Sequence, residues 1–327
     1  MHWSLYRWLL YEKSITAERK GLQGKMSEAI TPKYKIKGNE SFGIREGWLN
    51  KGLTALEENI TIFSEPEAMD SLGVGSKMVK SIKYWLLASH LVEEKREKNS
   101  KHSLIPTSYF GEIVKKHDPY FEDIFTLWII HYYITADIEF NTVWNLFFNK
   151  FVVTEFSKTA MVNKIVDESN KLYNKGNCLY NSIEADCSVI LKMYSSSEEI
   201  VTDPEENLVS PFSELGLLSR TSERGNYMKT KPLYNKLDRL AVLFVMVSNL
   251  EEGKTSVDID TLVSQDNNIG KIYNLDRNMI NDYLDRLRQD GFIQLNRTAG
   301  LDMVYINNDI TPTRILELYY KQSETEV

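Results

Sequence analysis

From Leu72 to Leu87 the chain combines a glycine-punctuated turn with a helix whose two sides suit different surroundings. Gly73 and Gly75 mark the turn. Met78, Ile82, Trp85 and Leu86 then recur at i, i+4, i+7 and i+8, the spacing of one buried helical stripe. Ser76, Lys77, Lys80, Lys83 and Tyr84 fall off that stripe, which predicts a face carrying positive charge and an aromatic ring toward solvent. A helix of this kind has to be held by its neighbours, and the neighbours follow a recognisable order. A helix is expected from Arg45 to about Asn59, burying Trp48, Leu49, Leu53 and Leu56. A short second helix spans Pro66 to Leu72 and stops at Gly73. Leu91–Glu94 and Ser103–Pro106, with a charged tip through Lys101, read as a β-hairpin. Helix, helix, helix, hairpin is the order of a winged helix, with the lysine face aimed at a nucleic-acid groove.

The middle of the chain is different. Between Tyr120 and Tyr194 the pattern is helical and aromatic, and Phe125, Trp128, Ile129 and Tyr132 keep the spacing of a buried helix. His131 lies inside this run and reads as a core histidine bonded to a carbonyl. Residues 195–232, with Asp203-Pro204, Ser210-Pro211 and Gly225, read as a loop-rich connection. The order of the first region returns at 233–320. Leu237, Leu240, Ala241, Phe244 and Val245 share a helix face, and Asp276 is a predicted N-cap for the helix bearing Met279, Ile280, Tyr283, Leu284 and Leu287. Phe292–Asn296 and Met303–Ile306, joined through Ala299-Gly300, alternate as a hairpin. The expected fold is therefore mainly α with short β wings. Two winged-helix domains, 34–117 and 233–320, flank an aromatic-rich helical middle at 118–232, with an N-terminal extension at 1–33 and a tail at 321–327.

The 327 residues carry a net charge of -7, so binding of nucleic acid through bulk charge is excluded and only a local basic patch could serve. The stretch from Lys77 to His117 is such a patch, with Lys77, Lys80, Lys83, Lys95, Arg96, Lys98, Lys101, Lys115 and Lys116 against four glutamates. The helix at 276–290 instead mixes Arg277, Arg286 and Arg288 with Asp276, Asp282, Asp285 and Asp290, as a solvent face or protein interface does. Cys178 and Cys187 have no partners at metal-ligand spacing, which argues against a disulfide framework and a structural zinc and fits a reducing cytoplasm. No Walker loop, HExxH, GxSxG or GxGxxG occurs. The aromatic run from Trp3 to Tyr11 is too short to span a bilayer and is broken by Arg7. Residues 1–25 are expected to be poorly ordered or to derive from an upstream start codon, with Met26 opening an ordinary bacterial N-terminus.

One polar cluster stands out as candidate chemistry: Glu40, Arg45, Glu46 and Lys51. Two carboxylates beside an Arg and a Lys could hold Mg²⁺ or Mn²⁺ and stabilise the transition state of phosphodiester cleavage. A structural role competes with this. Glu40 could bond the helix start, and Arg45 and Glu46 could form ordinary ion pairs. Without a third acidic ligand at a recognisable spacing, the structural role is the stronger reading.

Three blocks of sequence carry a family resemblance. The first joins Gly38–Phe42 to Arg45–Lys51, the second runs from Leu72–Gly75 through Lys83–Leu86, and the third joins Asp118–Asp123 to Thr126–Tyr132, with weaker echoes at Glu184–Tyr194 and Ser213–Leu217. Together they resemble, over about residues 34–310, the bacterial domain-of-unknown-function family 4007, which includes the SspB-like component of Ssp-type DNA phosphorothioation systems. The resemblance implies a protein that binds double-stranded DNA and nicks it so that sulfur can replace a non-bridging phosphate oxygen. It also implies an ATPase and a sulfur transferase as partners and phage defence as the setting. A non-enzymatic DNA-binding adaptor or a transcriptional regulator is the alternative. The family pattern has His where this chain has Asn39, and an asparagine can only donate or accept hydrogen bonds.

Overall fold

A computed structural model describes residues 34–95, 102–173, 179–195, 210–298 and 301–325. The N-terminal extension, the hairpin tip at 96–101, Cys178, most of the 195–232 connection before Ser210, and the Ala299-Gly300 turn lie outside the described residues.

The first region contains α1 (Trp48–Glu58), α2 (Ala68–Leu72), α3 (Ser76–Ala88) and a hairpin of β1 (Val92–Lys95) and β2 (Ser103–Pro106), followed by α4 (Gly111–His117). The expected order holds, with α1 starting three residues later than predicted. A one-turn 3-10 helix, Ile62–Ser64, lies between α1 and α2, where the sequence pattern signals no element. β1 and β2 are antiparallel, with Val92 opposite Pro106 and Lys95 opposite Ser103. Thr107 ties this hairpin to α4. Its N–H donates to Leu91 O at 3.0 Å, its hydroxyl donates to His90 O at 2.7 Å, and the same hydroxyl accepts from Gly111 N at 2.8 Å. The joint is so close that a Cβ on Gly111 would lie 2.0 Å from the Leu91 carbonyl oxygen.

The middle holds α5 (Ile124–Ala136), α6 (Thr142–Lys150), β3 (Glu155–Ser157), α7 (Lys158–Tyr173) and α8 (Tyr180–Tyr194). α5 is buried on all sides, from Phe125 through Thr135, as expected of a helix that is apolar all round. The expectation of an irregular 195–232 connection is corrected at its second half. β4 (Leu218–Arg220) and β5 (Asn226–Lys229) join β3 in an antiparallel sheet of order β3-β5-β4. These strands are too short to show alternation, and β3 lies some seventy residues upstream in sequence.

The last region contains α9 (Arg239–Ser248), β6 (Ser256–Asp258), α10 (Ile259–Ser264), α11 (Ile269–Ile272), α12 (Arg277–Gln289), β7 (Ile293–Thr298), β8 (Leu301–Ile306) and α13 (Pro312–Thr325). Asp276 caps α12, its carboxylate accepting from Met279 N at 2.9 Å. Gly291 ends the helix turn at φ 79°, a value that favours glycine. β7 and β8 pair from Ile293–Ile306 to Thr298–Leu301, and β6 adds to the other edge of β8.

The three regions share one continuous apolar core running from Ile44 to Tyr320. Polar bonds cross it at defined points. Trp128 Nε1 donates to Lys236 O at 2.7 Å, and Tyr273 OH donates to Trp128 O at 3.2 Å. Asn145 and Asn149 both reach Asn267 Oδ1. Asp118 accepts from Thr126 Oγ1 at 2.5 Å, and Thr126 also meets Tyr320 OH at 2.7 Å. Lys229 sends its ammonium to Phe147 O and Phe151 O, so it caps the C-terminus of α6, and burial lowers its pKa to about 7. Among the described residues no helix is long and apolar enough to cross a membrane.

The Leu91–Thr107–Gly111 joint yields a stability test. Gly111→Ala should destabilise the protein by about 1–3 kcal/mol, because the obstructing atom is a backbone oxygen with no rotamer to change. Urea unfolding measures this, and an unshifted midpoint would show that the joint tolerates a side chain.

Candidate nucleic-acid interface

Helix α3 is clamped on its inner side. Ile82, Trp85 and Leu86 are fully buried, and Val79, Ser81, Tyr84 and Ala88 join them. Trp85 Nε1 donates to Phe42 O at 2.9 Å, and its ring meets Trp144 edge-on at 5.2 Å. At the entrance Gly73 adopts the left-handed conformation, φ 60° and ψ 36°, and reverses the chain out of α2. Gly75 is different, with an ordinary extended conformation at φ -67°. Only the first glycine of the turn is conformationally required. No side chain caps the start of α3, so its first amides are available to an anion.

On the outer side Ser76, Lys77 and Lys80 are exposed. Neither lysine has a hydrogen bond or ion pair among the described residues. Lys83 is half-buried, 3.8 Å from Glu94 of β1. Tyr84 corrects the sequence reading. It does not face outward but is buried, with its hydroxyl donating to Asn141 Oδ1 at 2.5 Å and its ring stacked on Phe140 at 5.1 Å. Burial pushes its phenol pKa well up. The extra width of the apolar face comes from residue 140, which sequence spacing within the helix could not reveal.

The residues of the polar cluster predicted around Glu40 make no direct contacts with one another among the described residues. Arg45 packs its guanidinium over Phe42 and Trp48, at 5.6 and 5.2 Å from the ring centres, and pairs with neither carboxylate. Glu46 and Lys51 are exposed, Glu40 is half-buried, and no hydrogen bond or ion pair joins these side chains among the described residues. Among those residues, no three His, Cys, Asp or Glu side chains gather as metal ligands.

The structure instead brings Asn39 to Asp186 on α8, a partner 147 residues away. Asn39 Nδ2 donates to Asp186 Oδ1 at 2.7 Å, and Lys37 N donates to Asp186 Oδ2 at 2.7 Å. The other end of the Asn39 amide accepts from Ser41 N at 2.8 Å. Both residues are buried, and the loop around them holds Lys37, Glu40 and Ser41 at positive φ. Asn39 is thus a clamp with both ends committed, not an accessible acid or base. Each Asp186 oxygen accepts one N–H, which fixes the carboxylate against the 37–41 loop. Burial raises the Asp186 pKa to about 6, against the downward pull of those two hydrogen bonds. The sequence signal for Asp186 is a lone carboxylate beside Ile183, Cys187 and Ile190 on a core helix face.

The corresponding helix of the last region, α12, uses its charges internally. Arg277 pairs with Asp260 and Asp302, while Arg288 and Arg297 both reach Asp285. Arg286 lies over Tyr234, 5.1 Å from the ring centre. Its basic groups are largely neutralised, whereas those at the start of α3 are not.

The fold is thus a mainly helical one with small antiparallel sheets, and on α3 Lys77 and Lys80 have no partner among the described residues. Over residues 37–320 the chain matches the family model described as Protein of unknown function (DUF4007), and it belongs to that family. Two solved structures share the fold. One is a magnesium-ion-bound SspB, at TM-score 0.77 and 21% identity over 89% of this chain and 88% of that one. The other is a further SspB crystal structure, at TM-score 0.76 with the same identity and coverage. No curated protein matches.

A pH test follows for the clamp. Because the folded pKa of Asp186 is raised, ionising it inside the protein is unfavourable, and wild-type stability should fall as pH rises from about 4 to 6. Asp186→Asn should remove that slope and cost about 1–3 kcal/mol at neutral pH, since its NH₂ would face an N–H donor. Urea midpoints across pH measure both effects, and parallel curves for wild type and variant would sink the assignment.

Proposed function

We propose that this protein is a DNA-binding component of a bacterial DNA phosphorothioate modification and defence system. The observation that carries the reading is the pair of exposed lysines, Lys77 and Lys80, unpaired among the described residues and set on a helix whose opposite face is locked into the core. Ammonium groups held this way contact phosphates through charge and confer salt-dependent affinity. Membership of the DUF4007 family and the fold shared with SspB support the same pathway. On this reading both ends of the chain are winged helices, with α3 as recognition helix and the β1–β2 hairpin as wing. The last region's wing is β7–β8. The cytoplasm is then the site of action, and the ATPase and sulfur-transferase components of the pathway are the protein partners.

For the finer activity we infer two alternatives. One is nicking of the DNA backbone, with Glu40, Arg45, Glu46 and Lys51 as chemical residues and Mg²⁺ or Mn²⁺ as cofactor. The magnesium-bound SspB of the same fold supports it. The other is an adaptor that recruits the modifying enzymes to DNA. It is favoured by Arg45, whose guanidinium packs over Phe42 and Trp48 instead of beside Glu40 or Glu46.

Replacing Lys77 and Lys80 together by Gln should weaken duplex binding and flatten the log-affinity against log-salt slope by about 2, near 0.9 for each phosphate no longer neutralised. Fluorescence anisotropy across a salt series reads this, and an unchanged slope would remove α3 from the interface. Supercoiled plasmid with Mg²⁺ or Mn²⁺ separates the two activities. Open-circular product that is abolished in Glu40→Ala or Glu46→Ala establishes the nickase. Intact plasmid with a gel shift establishes the adaptor.

A further inference from the structure

Beside the C-terminal half of α3 lies a groove of about 440 Å³. Lys35, Lys80 and Lys83 line it, with Glu94 as its one carboxylate and the stacked rings of Tyr84 and Phe140 among its walls. Nothing in the sequence around Lys35 singles it out. The fold brings it here through two contacts. Its backbone N–H donates to Glu139 O at 2.8 Å, which holds the segment against the α5–α6 turn. Gly38 then lets the chain press onto Tyr84, where a Cβ would lie only 2.3 Å from the ring. The Lys35 ammonium ends 4.1 Å from the Phe140 ring centre and 4.8 Å from that of Tyr84.

Three ammonium groups therefore border one groove, against a single carboxylate. The aromatic wall lowers the local dielectric, so each charge is felt more strongly than in open water. Partial burial lowers the Lys35 pKa. Glu94 and, more weakly, Asp137 counter that effect, and the like charge of Lys83 adds to it. Glu94 is thus the carboxylate in the groove wall that acts on Lys35 and lies 3.8 Å from Lys83. An incoming anion relieves the repulsion between the lysines. The exposed Lys77 and Lys80 continue from the groove along α3, so the basic surface is a track, as a polyanionic strand requires, and not an isolated pocket.

We propose that this groove seats a backbone phosphate of bound duplex DNA, held by Lys35, Lys80 and Lys83, and that the phosphate displaces Glu94 from Lys83. The proposal rests on the DNA-binding reading above and adds two residues to it. Lys35 is a phosphate contact from outside the helix, and Glu94 is an internal competitor that restrains affinity.

The test uses the full chain and a labelled duplex. Lys35→Gln should lower affinity about 3- to 10-fold and flatten the salt slope by about 0.9, while Lys35→Arg restores both. Glu94→Gln should raise affinity several-fold, which a merely structural residue would not do. Mass-spectrometric footprinting of lysines by acetylation gives an independent readout, with Lys35 protected by duplex DNA and not by millimolar inorganic phosphate. If Lys77→Gln weakens binding while the Lys35 and Glu94 variants match wild type in affinity and slope, the groove proposal falls and the DNA reading stands. If wild type binds no duplex, both fall. Protection of Lys35 by inorganic phosphate alone would make the groove a small-anion site and overturn the proposal.

Discussion

Burial of α5 is the constraint on which the rest of the structure depends. From Phe125 to Thr135 this helix has no face suited to water, so every side must be covered by another element. α6, α9, α11 and the one-turn helix at Pro211–Leu215 do the covering. Of the polar groups carried inside with it, the Tyr132 hydroxyl has no hydrogen-bond partner among the described residues, whereas the histidine is matched at both nitrogens. His131 Nδ1 meets Tyr194 OH at 2.8 Å, its Nε2 meets Ile272 O at 2.8 Å, and burial lowers its pKa to about 3, which keeps the ring neutral. A charged imidazolium there would be expensive; a neutral one joins three parts of the chain.

The two flanking regions share a helix-rich order and an antiparallel hairpin but differ in how they treat charge. α12 cancels its arginines against Asp260, Asp285 and Asp302, and Arg286 rests on Tyr234. Among the described residues α3 leaves Lys77 and Lys80 free, and its Lys83 meets one carboxylate, Glu94, on the neighbouring hairpin. In a chain of net charge -7, that local imbalance is what a polyanion would find. The distinction lies in pairing, since both helices are rich in basic residues.

Much of this is legible in the chain alone. The order of the first region, the hairpins, the Asp276 cap, the Gly73 stop and the buried His131 all follow from local chemistry: periodicity, capping and left-handed turns. The failures have a common cause. Helix spacing turns Tyr84 outward because it sees only one helix, whereas Phe140 and Asn141 cover that ring from another part of the chain. The sheet β3-β5-β4 leaves no local signal because each strand has only three or four residues and β3 pairs with distant sequence. Around Glu40 the sequence favours a structural role over a chemical one, and the partners that hold the segment, the aromatic rings under Arg45 and Asp186 beside Asn39, are visible only in the fold.

What the sequence determined by itself was the element order of the first region, the hairpins and the basic character of α3, since these depend on residues within a few turns of one another. Family membership too was carried by short runs of residues, from Gly38 to Tyr132. Tertiary structure alone decided which polar groups meet. It joined Asn39 to Asp186, carried Lys35 to the side of Tyr84 and Phe140, and set Glu94 against Lys83. Such meetings join chain segments from 11 to 147 residues apart that are packed by a shared apolar core, and no local pattern records that geometry.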